Sequence, residues 1–393
     1  MKKLLVLGAG NLQVPAIAKA KKMGLYVGVI DYDPSAIGIK YADEYFKVST
    51  IDVQQVYNVS KSFRPNGIMT LASDLPIRSV AFACEKLGLP GISIETAYIT
   101  TNKAEMIKAF SRQGVEHPWF ITLNNIDDIH SKIDKITLPC ICKPVDNSGS
   151  RGVILIKKLD ELYDAVVYSA KHSRVGQVII EEYLIGEEVS VEIIVVDGIP
   201  NVLAVTDKIT TGAPYFVEMG HSQPSKFTGT ALESIKDLAC RAVKSVGLKN
   251  SPAHVEIMVT PNGPKMIELG ARLGGDCITS HLVPFSTGID IIMETIKLSL
   301  GEKPEIIPQY QKGSAIRYFN IPTGIIMNID GIEEARKIVN IQEVTIFKQP
   351  GDRVDNITCS TDRAGYVISM ANSAIEAIQA CEDAINQVSF EIM

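Results

Sequence analysis

The chain has 393 residues, of which 46% are hydrophobic and 21% charged, a composition typical of globular rather than disordered proteins. This length exceeds one ordinary hydrophobic core and predicts two or three domains. The formal net charge of -6 provides no basic surface, so we expect no nucleic-acid partner. Small anionic ligands remain possible, because local cations and backbone N–H groups decide whether they bind.

The N-terminus and the cysteines predict the location of the protein. The first apolar run, Leu4–Leu7, is too short for a signal peptide, and no stretch approaches the roughly 20 residues of a membrane helix. The seven cysteines are scattered and form neither a CxxC pair nor a disulfide framework. We therefore expect a cytoplasmic protein with reduced thiols and no membrane partner.

Strand and helix signals alternate through the first 95 residues. They predict strands at Leu4–Leu7, Tyr26–Ile30 and Gly67–Leu71 and helices at Leu12–Met23, Val53–Phe63 and Ile77–Leu87. This alternation predicts a parallel sheet with helices on both faces, a Rossmann-like domain.

The glycine turn after the first strand permits two interpretations. A dinucleotide-binding turn has the pattern G-x-G-x-x-G, but Gln13 occupies the third glycine position here. Asp31, at the end of the second strand, could bind a ribose. Alternatively, these strand ends contact a substrate or only pack. An NAD-dependent dehydrogenase is therefore a rival hypothesis that Gln13 opposes.

Further elements follow from about residue 101. The pattern predicts helices at Lys103–Gln113, Leu159–Ser169, Ala231–Val246 and Ser373–Gln387, strands at Leu138–Lys143 and Val153–Ile156, a hairpin-like pair at Val178–Tyr183 and Glu188–Val196, and a hairpin formed by Ala253–Val259 and Lys265–Leu269. Residues 207–230 lack periodicity and predict a long loop, which is uncommon in compact domains unless it is functional.

A lysine and a glycine-rich turn form the first group of candidate functional residues. Lys143 lies in an otherwise apolar strand, where a lysine is costly without an anionic partner. The turn at 146–152 can present backbone N–H groups and hydroxyls to a phosphate chain. The alternative is a solvent-facing lysine beside an ordinary hairpin.

Acidic residues form the second group, around a tight turn. Glu181 and Glu188 flank this turn, and their carboxylates could accept hydrogen bonds from an adenine amino group and from ribose hydroxyls. Acidic residues beside a turn are often only solvated, so this signal is weak alone.

The third and fourth groups are adjacent in the chain. Glu256 and Glu268 lie in the two strands of the predicted hairpin, whose register could bring their carboxylates together. Two buried carboxylates repel unless a cation lies between them, and hard oxygen ligands without Cys or His indicate Mg²⁺. Arg272, in the glycine-rich turn that follows, could stabilise charge on a transferring phosphoryl group. Outward-facing glutamates and a surface arginine are the alternatives.

In this order along the chain, these motifs resemble the ATP-grasp superfamily of ligases over essentially the whole sequence. The resemblance implies an α/β fold, with α+β in the ATP-grasp core: a Rossmann-like domain at 1–100, a lid subdomain at 101–190, a core at 191–312 and a small β-rich C-terminal subdomain at 313–393. It also implies ATP and Mg²⁺, or Mn²⁺ in its place, as cofactors.

Roles are implied for residues that match the motifs of the superfamily. Lys103 and Lys143 match the two nucleotide lysines, although Asp is more common than Asn102 before the first. The mobile phosphate-covering loop corresponds to Ser148, Gly149, Ser150 and Gly152, the adenine hinge to Glu181, Glu182 and Leu184, and the ribose ligand to Glu188. Glu256 and Glu268 match the metal ligands, and Arg272 the arginine that stabilises the acyl phosphate, with Lys143 assisting catalysis. Many members have Asn where this chain has Gly270.

Within the superfamily, the segment from Asp207 to Ser222 resembles the substrate loop of bacterial L-amino-acid ligases. The resemblance implies that Glu218 and His221 bind an amino acid or the incoming amine, and that Lys208 or Arg317 holds a carboxylate. It predicts a ligase that activates a carboxylate as an acyl phosphate and joins it to an amine, acting on small molecules as a homodimer.

Two further alternatives remain open from the sequence. One is an ATP-grasp carboxylase or transformylase that uses bicarbonate or formate and a ribonucleotide amine. That substrate needs cations at the strand ends of the first domain, where only Arg78 is close. The other is a nucleotide-binding sensor without catalysis, which the retained Glu256, Glu268 and Arg272 oppose.

Overall fold

The computed structural model describes residues 1–393, and its first part is a parallel four-stranded sheet with the order β3-β2-β1-β4. The strands are β1 (Lys3–Leu7), β2 (Tyr26–Asp31), β3 (Glu44–Lys47) and β4 (Gly67–Thr70), and the helices are α1 (Val14–Lys22), α2 (Val53–Phe63), α3 (Ile77–Leu87) and α4 (Ile94–Thr100). Leu4 to Leu7 are fully buried, as expected for a strand with helices on both faces. The predicted Rossmann-like alternation is confirmed.

The glycine turn after β1 is filled by the side chain of Gln13. The Gln13 amide accepts a hydrogen bond from the Gly10 N–H at 3.1 Å and donates one to the Leu71 carbonyl at 2.6 Å. The Asp31 carboxylate accepts from the Ala9 N–H at 2.7 Å. Both side chains thus bind the backbone around the turn, and this geometry gives no support to the ribose role considered for Asp31.

The second part is an antiparallel sheet with the order β5-β8-β6-β7. Its strands are β5 (Phe120–Leu123), β6 (Cys140–Pro144), β7 (Ile154–Ile156) and β8 (Val178–Glu182), accompanied by α5 (Lys103–Arg112), α6 (Asp128–Lys132) and α7 (Leu162–Lys171). Cys140, Cys142 and Ile180 are among the residues of its buried apolar cluster.

The third part is an eight-stranded antiparallel sheet with the order β13-β12-β9-β10-β11-β14-β18-β16. Its strands are β9 (Glu187–Val196), β10 (Ile199–Thr210), β11 (Glu218–Gln223), β12 (Ser251–Thr260), β13 (Gly263–Gly270), β14 (Gly313–Tyr318), β16 (Ile341–Ile346) and β18 (Gly365–Ala371), and the helices in this region are α8 (Gly229–Ser245), α9 (Val283–Thr287) and α10 (Ile291–Ser299).

A small sheet and two helices complete the fold. The sheet has the order β17-β15-β19, and the elements are β15 (Gly324–Asp330), α11 (Ile332–Ala335), β17 (Arg353–Val354), α12 (Ala374–Gln387) and β19 (Ser389–Ile392). The Ser373 hydroxyl caps α12 by accepting from the Glu376 N–H at 3.2 Å. None of the helices is both long and apolar enough to span a membrane.

Two predictions of local structure were wrong. The segments 178–183 and 188–196 form no hairpin, because β8 pairs with β5 and β6 whereas β9 pairs with β10 and β12. Residues 207–230 are not one long loop, because β10 extends to Thr210 and β11 adds to the sheet. Strand β11 also pairs with β14, so the sheet continues across the domain boundary expected at 313.

Candidate active site

All three large parts of the fold contribute side chains to one cleft of about 880 Å³. Its lining includes Lys103, Lys143, Ser148, Gly149, Ser150, Glu181, Glu182, Leu184, Glu188, Lys208, Glu218, His221, Glu256, Glu268 and Arg272. These are all the candidate residues from the sequence except Gly152 and Arg317. The fold therefore brings into one place residues that lie up to 169 positions apart in the chain.

Glu256 and Glu268 lie directly opposite each other in the β12–β13 hairpin. Each carboxylate has its own cation: Lys103 Nζ lies 2.8 Å from Glu268 Oε2, and Lys208 Nζ lies 3.4 Å from Glu256 Oε1. Burial would raise the pKa of Glu256, but Lys208 and His254 hold it well below its usual range. Glu256 is therefore ionised at neutral pH and available to a metal ion.

The donor set fits Mg²⁺ shared with a nucleotide better than a metal held by protein alone. No group of three or more His, Cys, Asp or Glu side chains is arranged to enclose an ion. Mg²⁺ commonly uses one or two carboxylates together with substrate phosphates. Glu256 and Glu268 provide those two carboxylates, and the cleft leaves space for the phosphates.

Lys103 is positioned by the start of helix α5. The Asn102 side chain caps the helix, accepting hydrogen bonds from the N–H groups of Ala104 and Glu105 at 3.0 and 3.1 Å. Asn102 thus performs the capping that the more common Asp would perform. Lys103 Nζ also donates to the Asn147 carbonyl at 2.8 Å. Burial would lower the pKa of Lys103, but the charge of Glu268 outweighs it and the pKa is raised.

Lys143 and Glu181 form an ion pair on the floor of the cleft. Lys143 Nζ lies 2.6 Å from Glu181 Oε2, and both side chains are buried. The pair joins neighbouring strands, β6 and β8. Strand register thus provides the anionic partner that the sequence demanded for a buried lysine.

The glycine-rich turn connects β6 to β7 at the mouth of the cleft. Gly149 has φ of 66° and Ser150 has φ of 55°, so this turn uses left-handed backbone. Gly152 lies at the base of the turn instead: a Cβ there would lie 2.7 Å from that of His172. The Gly152 carbonyl accepts from the Ser169 hydroxyl at 2.7 Å. Gly152 therefore anchors the turn and does not line the cleft.

Lys208 lies among three carboxylates and is almost fully buried. Its ammonium contacts Glu188, and it lies 3.4 Å from Glu256 Oε1 and 3.8 Å from Glu218 Oε1. Burial would lower the pKa of Lys208, but these carboxylates raise it well above the usual value. Burial raises the pKa of Glu188, although the contact with Lys208 opposes this effect. The charge of Lys208 is thus already neutralised, which makes it a counter-ion more than a free carboxylate ligand.

Arg272 forms a two-bond pair with a residue that the sequence analysis did not select. Its Nε and Nη2 donate to the two carboxylate oxygens of Asp74 at 3.0 and 3.1 Å. Asp74 follows β4 in the first part of the fold and also lines the cleft. Burial would lower the pKa of Arg272, but the charge of Asp74 raises it.

A second arginine pair forms the other end of the cleft. Arg363 donates to both carboxylate oxygens of Asp276 at 2.8 and 2.9 Å, and its guanidinium lies 3.7 Å from the centre of the Tyr318 ring. His221 Nε2 lies 3.5 Å from Asp276 Oδ2, and Arg363 also donates to the Glu218 carbonyl at 3.0 Å. Burial would raise the pKa of Asp276, but Arg363 and His221 hold it far below its usual range.

The prediction that Arg317 reaches a substrate carboxylate is not supported by its position. Arg317 does not line the cleft, and its Nη1 donates to the carbonyls of His221 and Ile316 at 3.1 and 3.0 Å. Strand β14 directs this side chain across Gly220 instead of toward the opening. Arg363, which lies just before β18, lines the end of the cleft instead.

His254 and Glu192 form a buried pair beside Glu256. His254 Nδ1 lies 2.7 Å from Glu192 Oε1, and Nε2 lies 3.2 Å from Glu256 Oε1. Burial would lower the pKa of His254, but Glu192 raises it to about 9. A protonated His254 links the two carboxylates and orients Glu256. The sequence contained a signal for this pair, since Glu192 interrupts an apolar strand.

Comparison with known protein families agrees with this geometry. Residues 136–280 match the model of an ATP-grasp domain, and residues 317–393 match L-amino acid ligase C-terminal domain 2. The fold and these two matches show that the chain contains an ATP-grasp domain followed by a C-terminal domain of the L-amino acid ligase type.

Individual relatives have low sequence identity to this chain, but the similarity extends over most of its length. The chain is 26% identical to an uncharacterized protein of Sinorhizobium fredii, over 96% of this chain and 80% of that protein. It is 28% identical to the alanine–anticapsin ligase of Bacillus subtilis, over 68% of this chain and 61% of that ligase. The crystal structure of an L-amino acid ligase from Bacillus licheniformis superposes with a TM-score of 0.85 at 22% identity, covering 100% of this chain and 99% of that one.

Proposed function

We propose that this protein activates a carboxylate with Mg·ATP as an acyl phosphate and joins it to an amine, with an amino acid as at least one substrate. One observation carries the proposal. Two lysines, two opposed carboxylates and an arginine, namely Lys103, Lys143, Glu256, Glu268 and Arg272, line the same cleft. Phosphoryl transfer depends mainly on positioning and on charge stabilisation, and these residue types perform both.

The nucleotide would bind along the floor and the hinge of the cleft. Lys103 and Lys143 would contact phosphate oxygens, releasing part of their present pairing with Glu268 and Glu181. The hinge from Glu181 to Leu184 would hold the adenine edge, and Glu188 the ribose hydroxyls. The turn at 148–150 would close over the phosphates and exclude water, which would otherwise hydrolyse an acyl phosphate.

Glu256 and Glu268 would hold Mg²⁺, which supplies charge neutralisation between the phosphates when it is bound. The protein's own contribution is to balance the charge of these carboxylates and to orient them. Lys103 contacts Glu268, Lys208 contacts Glu256, and His254 orients Glu256.

The reaction would proceed in two transfers. A carboxylate oxygen of the acid attacks the γ-phosphorus, the bond to the β-phosphate oxygen breaks, and ADP leaves. The amine nitrogen then attacks the acyl carbon, phosphate leaves, and the nitrogen loses its proton. Arg272 and Lys143 would stabilise the negative charge that develops on the transferred phosphoryl group.

The amino-acid substrate would bind at the end of the cleft that the C-terminal part completes. Recognition of an amino acid needs a cation for its carboxylate and an anion for its ammonium. Arg363 is the best-placed cation, because Arg317 points away and Lys208 is surrounded by carboxylates. Glu218 provides the anion, and His221 contributes a buried ring whose Nδ1 has no hydrogen-bond partner.

The carboxylase or transformylase alternative is less well supported. A ribonucleotide phosphate needs cations near the first domain, but the cleft is lined there by Asn11, Leu12, Ala72 and Asp74. Arg78 is not among the lining residues: it donates to the Thr101 hydroxyl at 2.6 Å.

An ADP-release screen of amino-acid pairs with Mg·ATP tests the proposal, with mass spectrometry of the products. We expect release that requires two amino acids, or one amino acid and another carboxylic acid, together with a product one water lighter than their sum. Release with bicarbonate or formate and a ribonucleotide, and with no amino acid, would replace this proposal by the alternative.

A further inference from the structure

Gly270 is a residue of the site that the proposed function leaves without a role, and its surroundings are tightly packed. This residue ends β13, two positions after Glu268, so a side chain here would point to the same side of the hairpin as Glu268. A Cβ at Gly270 would lie 2.8 Å from Asp74 Oδ1, 3.0 Å from Arg272 Nε and 3.1 Å from Arg272 Cζ. The first separation is shorter than a Cβ atom tolerates, and the other two are tighter than most Cβ contacts. A larger residue at 270 would therefore push the side chains of Asp74 and Arg272 out of their observed pairing.

From this juxtaposition we propose that Asp74 is the positioning residue for Arg272, and that the missing side chain at Gly270 is what admits it. Asp74 belongs to the first domain and Arg272 to the hairpin region, 198 positions later. The pair thus fixes a guanidinium of the core from a different domain. This inference rests on the proposed function for the role of Arg272 in charge stabilisation.

The geometry of the guanidinium explains how positioning leaves the group usable. An arginine has five N–H donors in a planar fork. Two of them bind Asp74, and one on Nη1 donates to the Leu273 carbonyl at 3.3 Å. One hydrogen on Nη1 and one on Nη2 remain for a ligand in the cleft. Three fixed bonds define the plane in which these two donors lie.

Asp74 itself is held rigidly enough for this task. It lies in the short turn between β4 and α3, where the Ile77 N–H donates to the Asp74 carbonyl at 3.2 Å. Ala72, two positions before Asp74, has φ of 54°, a left-handed conformation that few residues adopt. This backbone conformation of the turn directs the Asp74 carboxylate toward Arg272.

The test is a double-mutant cycle on Asp74→Ala and Gly270→Ala. Because both changes disrupt the same pair, each alone should lower kcat about tenfold or more, with little change in the KM for ATP. In the double variant, the alanine at 74 removes the contact with Asp74 and releases Arg272, whose side chain can then move away from residue 270, so Gly270→Ala should cost little further. Asp74→Asn should fall between wild type and Asp74→Ala, since an amide oxygen accepts from only one side of the fork.

Two controls accompany this test. One shows whether Asp74 positions Arg272 or only links two parts of the fold, and the other makes the result independent of the proposed function. Lys19→Ala removes another ion pair between the first domain and a later segment, with Asp290, without lining the cleft, and should leave kcat unchanged. Unfolding midpoints give a second cycle that needs no substrate and should show the same non-additivity. Additive effects in both cycles, or full kcat in folded Asp74→Ala, would overturn the inference. Absence of amino-acid-dependent ADP release in the wild type would instead overturn the proposed function, and the unfolding cycle would still decide the inference.

Discussion

Lys143 and Glu181 form an ion pair between neighbouring strands, with Nζ 2.6 Å from Oε2 and both side chains less than a tenth exposed. A buried pair of this kind contributes little net stability, but removing one partner leaves the other charge buried and unpaired, which costs about 3–5 kcal/mol. Lys143 therefore has two separable effects, one on folding and one on nucleotide binding.

Lys143→Met should lower the affinity for Mg·ADP by a factor of about 10 to 100, since a hydrogen bond to a charged group contributes about 1.5–3 kcal/mol. Titration calorimetry on folded protein measures this. The double variant with Glu181→Gln should recover stability in chemical unfolding but not affinity. Unchanged affinity in Lys143→Met, and likewise in Lys103→Met and Glu188→Gln, would contradict the assigned nucleotide site.

Glu268→Gln should abolish turnover while leaving the fold intact, because a neutral amide cannot balance the charge of Mg²⁺ between two phosphates. Glu256→Gln should behave in the same way, and a chelator should stop ADP release by the wild type. Glu233→Gln, on the exposed surface of α8, is the matched control. Near wild-type turnover in both cleft variants would mean that the hairpin does not hold the metal.

Glu218→Ala should raise the KM for one amino acid sharply and leave the KM for ATP unchanged, because Glu218 is the anion proposed for the substrate ammonium. Steady-state kinetics with each substrate varied in turn measures the two constants. The control is Glu187→Ala, an exposed carboxylate outside the cleft. Equal changes for both substrates would indicate that Glu218 acts on the nucleotide side, through Lys208.

Arg363→Met should raise the KM for an amino acid and also change the pH dependence of stability. Burial would raise the pKa of Asp276, but Arg363 and His221 depress it in the folded state. A depressed carboxyl contributes stability above its unfolded pKa of about 3.9, and this contribution disappears as the pH falls through the folded value. The wild type should therefore exceed the variant in unfolding free energy at pH 7, and the difference should shrink steadily below about pH 4. A difference independent of pH would contradict the ion-pair explanation.

The hydrophobic pattern and the turn signals were sufficient to predict the parts of the fold in which the two kinds of signal agree. The sequence predicted the β12–β13 hairpin, and its register places Glu256 opposite Glu268. It also predicted helix α3, which Gly88 ends in a left-handed conformation. In these segments, apolar periodicity and the stop signals lie in the same few residues, so local information decides the structure.

Strand β11 escaped prediction because its buried residues are polar. Its sequence from Glu218 to Gln223 has no apolar alternation, yet His221, Ser222 and Gln223 are buried. Hydrogen bonds satisfy Gln223, which donates to Thr206 at 2.8 Å and accepts from Ser286 at 2.7 Å. Such a strand depends on partners distant in sequence, which a periodic pattern does not contain.

The same dependence on partners distant in sequence explains why the sequence analysis missed two residues of the site. Asp74 and Arg363 belong to no recognisable motif, and each acts through a partner far along the chain, Arg272 and Asp276. The sequence instead selected Arg317, an arginine in an apolar strand. Residue type alone does not indicate which of two arginines faces a cleft, because that depends on the register between β11 and β14.

The continuity between β11 and β14 limits how this protein can be recombined with its relatives. A chimera joined at residue 312 would take β11 from one parent and β14 from the other, and a poor match between them would leave β11 as an unprotected edge prone to association. It would also exchange Arg363 while keeping Asp276. The proposed amino-acid site and the integrity of the large sheet are therefore linked, and a graft that preserves both has to carry β11 and the segment around Asp276 with the C-terminal part.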